Sequence, residues 1–193
     1  MGERTPGQLP SMVSVAVGVA VFLGIIVLAV SMILLRQRTI TSVRPANHDV
    51  QCLVVSVERY YADLGSYPPD DIVPIGGSAE NAFSESLVHY LGQVQRQHGR
   101  AVGPYMEFSE DRLTDSDTDG FMEFRDPWGG VYVYALRTPA PGAIKSKTPP
   151  RFFDIASPGP DGLLGGEMVP GKGYVPATTP EGKAAEADNV TSW

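Results

Sequence analysis

An uninterrupted apolar stretch near the amino terminus constrains this chain more than any other feature. Residues 12–35 read MVSVAVGVAVFLGIIVLAVSMILL, carry no charge, and are followed by Arg36 and Arg38. A helix of about 20 apolar residues crosses the roughly 30 Å hydrocarbon core of a bilayer. The apolar part of a cleaved secretory signal covers only about 7–15 residues. The sequence therefore predicts a single transmembrane helix that is retained in the protein.

Composition excludes several classes of protein. The chain has 193 residues and a formal net charge of −7, and its single cysteine is Cys52. A nucleic-acid-binding domain needs a basic face, so no nucleic-acid partner is expected. One cysteine cannot form an intramolecular disulfide framework. The length beyond the apolar stretch is sufficient for one modest domain with its own core.

Hydrophobic periodicity divides the chain into five segments. Residues 1–11 are a short polar amino terminus, residues 12–35 a transmembrane helix, and residues 36–64 a stalk helix that continues it. Residues 65–166 form a globular α+β domain, and residues 167–193 a Gly/Pro-rich carboxy-terminal segment with a possible last strand. Apolar residues recur at three- and four-residue spacing from Val50 to Leu64, which predicts an amphipathic helix. Asp49 is its expected N-cap, and Gly65 is expected to end it.

The globular part of the chain changes from helical to strand-like patterns. Residues 79–97 carry a second helical stripe, whereas residues 130–137 and 151–157 read as strands and are joined by the Pro-rich residues 139–150. Residues 188–193 add a short last strand. Helices that precede an antiparallel sheet indicate the α+β class.

Three short motifs in this order carry a resemblance to a known family. They are Gly-Ser-Tyr-Pro at residues 65–68, Asp-Pro-Trp-Gly at 126–129, and Ser-Pro-Gly-Pro-Asp-Gly at 157–162. Behind an apolar helix and an amphipathic stalk, they resemble the type IV pilin-like proteins, most closely the major pseudopilin of type II secretion. The resemblance implies a pilin-like fold, in which a long N-terminal membrane-spanning and stalk helix packs on a small antiparallel sheet.

The resemblance also implies a role and a location. The chain is expected to be a structural subunit, with the membrane, homotypic or related pilin-like subunits and the secretion machinery as partners. Its expected place is the bacterial inner membrane, crossed once, with the carboxy-terminal domain in the periplasm. Arg36, Arg38 and Arg44 follow the apolar stretch and favour the opposite orientation.

Two departures from the family leave a second hypothesis open. Family members carry a processing site with an aromatic residue directly before the apolar run, whereas Gly7 is here followed by Gln8. They also carry an early glutamate that aligns subunits, whereas no acidic residue lies between Glu3 and Asp49. The alternative is a membrane-anchored sensor or binding module that keeps the pilin-like fold without assembling.

An acidic loop predicts a calcium site. Carboxylates occupy the first, third and fifth positions of DSDTDGFMEFRD and glycine the sixth, which is the ligand order of an EF-hand-like loop. The candidate ligands are Asp115, Asp117, Asp119, the Phe121 carbonyl, Glu123 and Asp126. Hard oxygen ligands suit Ca²⁺ and do not suit zinc. A hydrated acidic turn is the alternative interpretation.

The resemblance implies a second calcium site. Related pseudopilins bind calcium in the loop after the third motif, and a later aspartate closes the site. The matching positions in this chain are Ser157, Asp161 and Asp188. An ordinary turn at Asp161 is the alternative.

Catalytic patterns are weak. His48, His89 and His98 are scattered without metal-ligand spacing, and Cys52 lies four residues from His48 in a juxtamembrane position. A membrane-tethered hydrolase would have only the acidic loop in its favour, because no nucleophile–base pair is evident. The prediction is that the protein is not an enzyme.

Overall fold

The chain divides into two compact units, Met1–Thr41 and Ser42–Trp193. Its structure, a computed structural model, describes residues 12–77, 82–138 and 152–192, and within the first helix it describes side chains at residues 21–32 and 43–64. All candidate site residues lie in the second unit. The predicted loop at residues 139–150 lies outside the described residues.

Helix α1 spans Met12–Leu64 and contains Pro45. Over the described part of the chain, no helix has both the length and the apolar character that a bilayer crossing requires. The predicted membrane-spanning helix and the predicted single-pass inner-membrane location with a periplasmic domain are therefore wrong.

The carboxy-terminal part of α1 packs one face against the domain core. The buried residues on this face are Ala46, Val50, Leu53, Val54, Val57 and Tyr60. Gly65 has a φ of 76° and donates its N–H to the Tyr61 carbonyl at 2.8 Å, which confirms the predicted end of the helix. Asp49 lies inside α1, so its predicted role as an N-cap is wrong.

The remaining helices are short. They are α2 at Ala82–Gly92 and α3 at Pro180–Ala185, with 3₁₀ turns at Val73–Ile75, Glu110–Arg112 and Glu186–Asp188. The second helix was expected over residues 79–97, of which 79–81 lie outside the described residues. It ends earlier than expected, since residues 95–97 belong to a strand.

Small antiparallel sheets make up the rest of the second unit. The described strands are β1 Gln95–Gln97, β2 Arg100–Val102, β3 Leu113–Thr114, β4 Glu123–Phe124, β5 Val133–Leu136, β6 Phe153–Ser157, β7 Glu167–Val169, β8 Gly173–Val175 and β9 Val190–Thr191. They form the pairs β1–β2, β3–β4 and β7–β8 and the three-stranded sheet β5–β6–β9. In this last sheet Val133 pairs with Ala156, and Ser157 pairs with Val190. The α+β class and the three predicted strands are thus found.

The core lies between α1, α2 and the three-stranded sheet. Tyr132, Tyr134, Phe153 and Ile155 have no exposed surface and belong to the same cluster as the buried face of α1. The Tyr134 hydroxyl donates to the Pro68 carbonyl at 2.8 Å, which ties β5 to the turn after α1. Because α2 also contacts β4 and β5, the loop between β3 and β4 is held close to that helix.

Candidate metal centre

The acidic loop at residues 115–122 connects β3 to β4. In this hairpin Leu113 pairs with Phe124 and Thr114 with Glu123. The loop is tightly folded, because the Gly120 N–H donates to Asp115 Oδ2 at 3.1 Å and the Phe121 N–H donates to Asp119 Oδ1 at 2.8 Å. Gly120 has a φ of 92°, a conformation that glycine adopts without strain.

The structure brings two of the predicted ligands together with a residue from α2. One carboxylate oxygen each from Glu85, Asp117 and Asp119 lies within 4.8 Å of the others. Burial and then the neighbouring Asp119 and Asp117 carboxylates raise the pKa of Glu85 to about 7. A divalent cation held by oxygen ligands would relieve this repulsion, so the three residues are the best candidate metal ligands in the described chain.

Sequence reasoning missed Glu85. On the same face of α2, one helical turn earlier, lies the buried residue Ala82. A glutamate three residues from an apolar position that faces the core was the available signal. Helical periodicity by itself did not indicate which loop would lie against that face.

Glu123 is fully buried but has protein partners for both carboxylate oxygens. Its Oε2 accepts the Ser116 N–H at 3.2 Å, and its Oε1 accepts the Ser116 hydroxyl. Phe121 lies beside the cluster, with its ring 5.4 Å from the ring of His89. The structure therefore places Glu123 in a bond that closes the hairpin, and not among the three clustered carboxylates.

Asp126 is placed in a different turn. Its Oδ1 accepts the backbone N–H groups of Trp128 and Gly130, both at 2.9 Å. Its Oδ2 accepts the Ser157 hydroxyl at 2.5 Å. These bonds shape the Asp-Pro-Trp-Gly turn that leads into β5, so neither Asp126 nor Ser157 lies with the Glu85 cluster.

The second predicted site brings two of its three residues together. Burial and then the Asp161 carboxylate raise the pKa of Asp188. Asp188 Oδ1 is shielded from solvent and has no hydrogen-bond partner among the described residues. Asp161 is exposed and its Oδ1 accepts the Leu163 N–H at 2.8 Å. Gly159 is required at this point, since a Cβ there would lie 2.4 Å from the Asp188 carbonyl oxygen.

Cys52 and His48, for which no catalytic role is expected, lie on α1, and His89 lies on α2. Cys52 Sγ lies 3.6 Å from Nδ1 of His48, an exposed residue one helical turn earlier in α1. His89 is on α2, where its Nδ1 lies 3.2 Å from the Gln93 amide nitrogen. Among the residues that the structure describes, neither histidine has a hydrogen-bonded carboxylate that would orient it for base catalysis.

Comparisons with known proteins identify no relative. No family model matches the chain, and neither a curated protein nor a solved structure matches it.

Proposed function

We propose that this chain is a structural, non-enzymatic subunit of a pilin-like assembly of the type II secretion or type IV pilus kind, with a globular domain stabilised by calcium. The observation that carries the proposal is the way in which the three family-like motifs connect. The Ser157 hydroxyl of the third motif donates to Asp126 of the second, and the Tyr134 hydroxyl of β5 donates to Pro68 of the first.

The first motif also packs on both the helix and the sheet. The ring of Tyr67 stacks on Tyr61 of α1 at a centroid distance of 4.5 Å and lies 5.2 Å from Phe153 of β6. Aromatic pairs of this kind contribute about 0.5–1.5 kcal/mol beyond their buried area. Residues of the motifs thus connect the sheet to the helix, which is the role we expect of them in a structural subunit.

Calcium fits the same role. Glu85, Asp117 and Asp119 offer oxygen ligands of the type that Ca²⁺ prefers. An ion at this cluster would hold a loop and a helix together and requires no reacting group nearby. Calcium stabilisation is therefore proposed as a structural property of the domain.

Cross-linking in the full-length chain tests assembly. Val55 is 56% exposed on α1, on the side away from the core residues Leu53 and Val54. In a Cys52→Ser background, Val55→Cys leaves one thiol in each chain and is expected to yield cross-linked dimers with a short bis-maleimide reagent. Glu181→Cys, exposed on α3, is the matched control and is expected to remain monomeric.

Absence of cross-linked species from the Val55→Cys variant would contradict the assembly proposal. Such a result would favour the second hypothesis, a pilin-like binding module that does not assemble, which is consistent with the missing early glutamate.

A further inference from the structure

Glu85 is an unusual residue for the interior of a protein. Its side chain has no exposed surface, and neither carboxylate oxygen has a hydrogen-bond partner among the described residues. A buried carboxylate without partners costs several kcal/mol unless it is neutralised or paired with a cation. Glu85 is therefore a group that either holds a proton or pairs with a cation.

The neighbours of Glu85 increase this requirement. Both carboxylate oxygens of Asp117 are shielded from solvent and have no hydrogen-bond partner within the described chain. The two described ion pairs join Arg112 to Asp49 and Arg137 to Asp154, so neither supplies a cation to this cluster. Several carboxylates thus face one another across a small volume.

The spacing of the three carboxylates fits a single ion. Calcium–oxygen distances are about 2.3–2.6 Å, so ligands on opposite sides of one ion lie roughly 4.6–5.2 Å apart. One oxygen each from Glu85, Asp117 and Asp119 lies within 4.8 Å of the other two. All three can therefore contact an ion at their centre without a large movement.

We propose that Glu85, Asp117 and Asp119 bind one Ca²⁺ ion that joins α2 to the β3–β4 loop. This inference rests on the calcium-stabilised domain of the proposed function and names its ligands. The site differs from an EF-hand-like loop, because a residue from a separate helix supplies one ligand. Glu123 and Asp126, which would close such a loop, are bonded to Ser116 and to the Asp-Pro-Trp-Gly turn.

A calcium ion at this site would change how firmly α2 and the β3–β4 loop are held together. Without the ion, the loop carboxylates and Glu85 repel one another, and this repulsion opposes the packing of α2 against the loop, which includes the contact of His89 with Phe121. With the ion, the same carboxylates become the strongest connection between the two elements. Calcium occupancy therefore controls how firmly the loop is attached to α2.

Calcium titration of the purified full-length chain, by isothermal titration calorimetry after chelator treatment, tests the site. The wild-type chain is expected to bind Ca²⁺, and Glu85→Gln is expected to weaken the affinity by at least about tenfold, because a charged ligand is lost. Glu167→Gln, an exposed glutamate on β7, is the matched control and is expected to leave the affinity unchanged. Asp161→Asn reports on the second cluster.

The outcomes distinguish the Glu85 site from the wider proposal of a calcium-stabilised domain. Loss of binding in Glu85→Gln but not in Asp161→Asn supports the inference. Binding that depends on Asp161 and is indifferent to Glu85 overturns it and leaves a calcium-stabilised domain in place. An absence of calcium binding in the wild-type chain overturns both the inference and the calcium part of the proposed function, while the cross-linking test of assembly stands independently.

Melting temperatures measured with and without calcium distinguish a metal-binding role of Glu85 from a purely structural one. In chelator, Glu85→Gln is expected to melt at the same temperature as the wild-type chain or a higher one, because it removes a buried charge from a repulsive cluster. In saturating calcium the order reverses, since only the wild-type chain gains stability from the ion. A variant that melts lower than wild type under both conditions would show a purely structural role for Glu85 and overturn the site.

Discussion

At the scale of single residues, Asp126 shows how a carboxylate in an acidic stretch can serve the backbone. Its side chain is only 4% exposed and accepts hydrogen bonds from Trp128, Gly130 and Ser157. These bonds satisfy donors that the turn would otherwise bury. The residue lies in the same acidic stretch as the candidate metal ligands but has a different structural role.

We expect Asp126→Ala to destabilise the domain by about 2–4 kcal/mol, because it leaves the buried Ser157 hydroxyl and two half-buried backbone N–H groups without their acceptor. Calcium affinity is expected to remain as in the wild-type chain, since the Asp126 side chain does not reach the Glu85 cluster. Denaturant unfolding in excess calcium and calorimetric titration measure the two effects. A loss of calcium affinity without a loss of stability would assign Asp126 to the metal instead.

At the scale of elements, Asp49 provides a polar connection between α1 and the sheet. Asp49 accepts hydrogen bonds from Arg112 Nη2 at 2.7 Å and from the Tyr132 hydroxyl at 2.9 Å. Arg112 also lies 4.3 Å above the centre of the Phe124 ring. Asp49 thus links α1 to the 3₁₀ turn at Glu110–Arg112 and to the start of the three-stranded sheet.

Replacing Asp49 with Ala is expected to cost about 1.5–3 kcal/mol, because the buried Tyr132 hydroxyl and the half-buried Arg112 guanidinium lose their acceptor. Gln51→Ala, at an exposed position of the same helix, is expected to change the free energy of unfolding by less than about 0.5 kcal/mol. Urea unfolding of both variants makes the comparison. Equal effects in the two variants would show that the Asp49 bonds contribute little.

Calcium should also alter the dynamics of α2 and the acidic loop. On addition of Ca²⁺, amide hydrogen exchange is expected to slow in α2 and at Gly120 and Phe121, because the ion joins these elements. At a calcium concentration of 100 times Kd, the slowing is limited to about 100-fold. The β7–β8 hairpin serves as an internal control and should be unaffected. Protection centred on Asp161 and Asp188 instead would contradict the proposed site.

At the scale of the whole molecule, buried tyrosines make the domain sensitive to alkaline pH. Burial, and then the nearby Asp49 carboxylate, raise the pKa of Tyr132 far above its usual value of 10, and burial does the same for Tyr134. Above pH 10 the unfolded chain loses protons that the folded chain retains. Stability is therefore expected to fall as pH rises beyond about 10.

Unfolding measured between pH 8 and pH 11 tests this expectation. At pH 8, Tyr134→Phe should be less stable than the wild-type chain by about 1 kcal/mol, because the substitution removes the hydrogen bond to Pro68, and it should show a shallower alkaline decline. Tyr61→Phe, at a position that is 44% exposed, is the control and should keep the wild-type slope. Identical slopes in all three proteins would contradict the assignment.

Local patterns predicted much of the second unit. Gly65 ends α1 as its glycine character indicated, and strands occur at Val133–Leu136, Phe153–Ser157 and Val190–Thr191, within the predicted ranges. The membrane-spanning helix was a prediction from hydropathy that the described helices do not bear out. Hydropathy along a sequence measures only the composition of a stretch.

The candidate site could be predicted only in part. The loop pattern predicted Asp117 and Asp119 as ligands, because residues that are close together in a turn stay close in any fold. Glu85 is about 30 residues earlier, and its place in the cluster depends on how α2 packs against β4 and β5. Asp126 and Glu123 were misleading for a related reason. Ser157, the partner of Asp126, is brought there by the packing of β6, and Ser116, the partner of Glu123, by the geometry of the β3–β4 hairpin.

Anomalous diffraction from crystals grown with calcium tests the central claim most directly. The account predicts one anomalous peak about 2.3–2.6 Å from carboxylate oxygens of Glu85, Asp117 and Asp119. That peak should be absent from crystals of Glu85→Gln grown under the same conditions. A wild-type crystal with no peak at these three residues, or with a peak only between Asp161 and Asp188, would contradict the account.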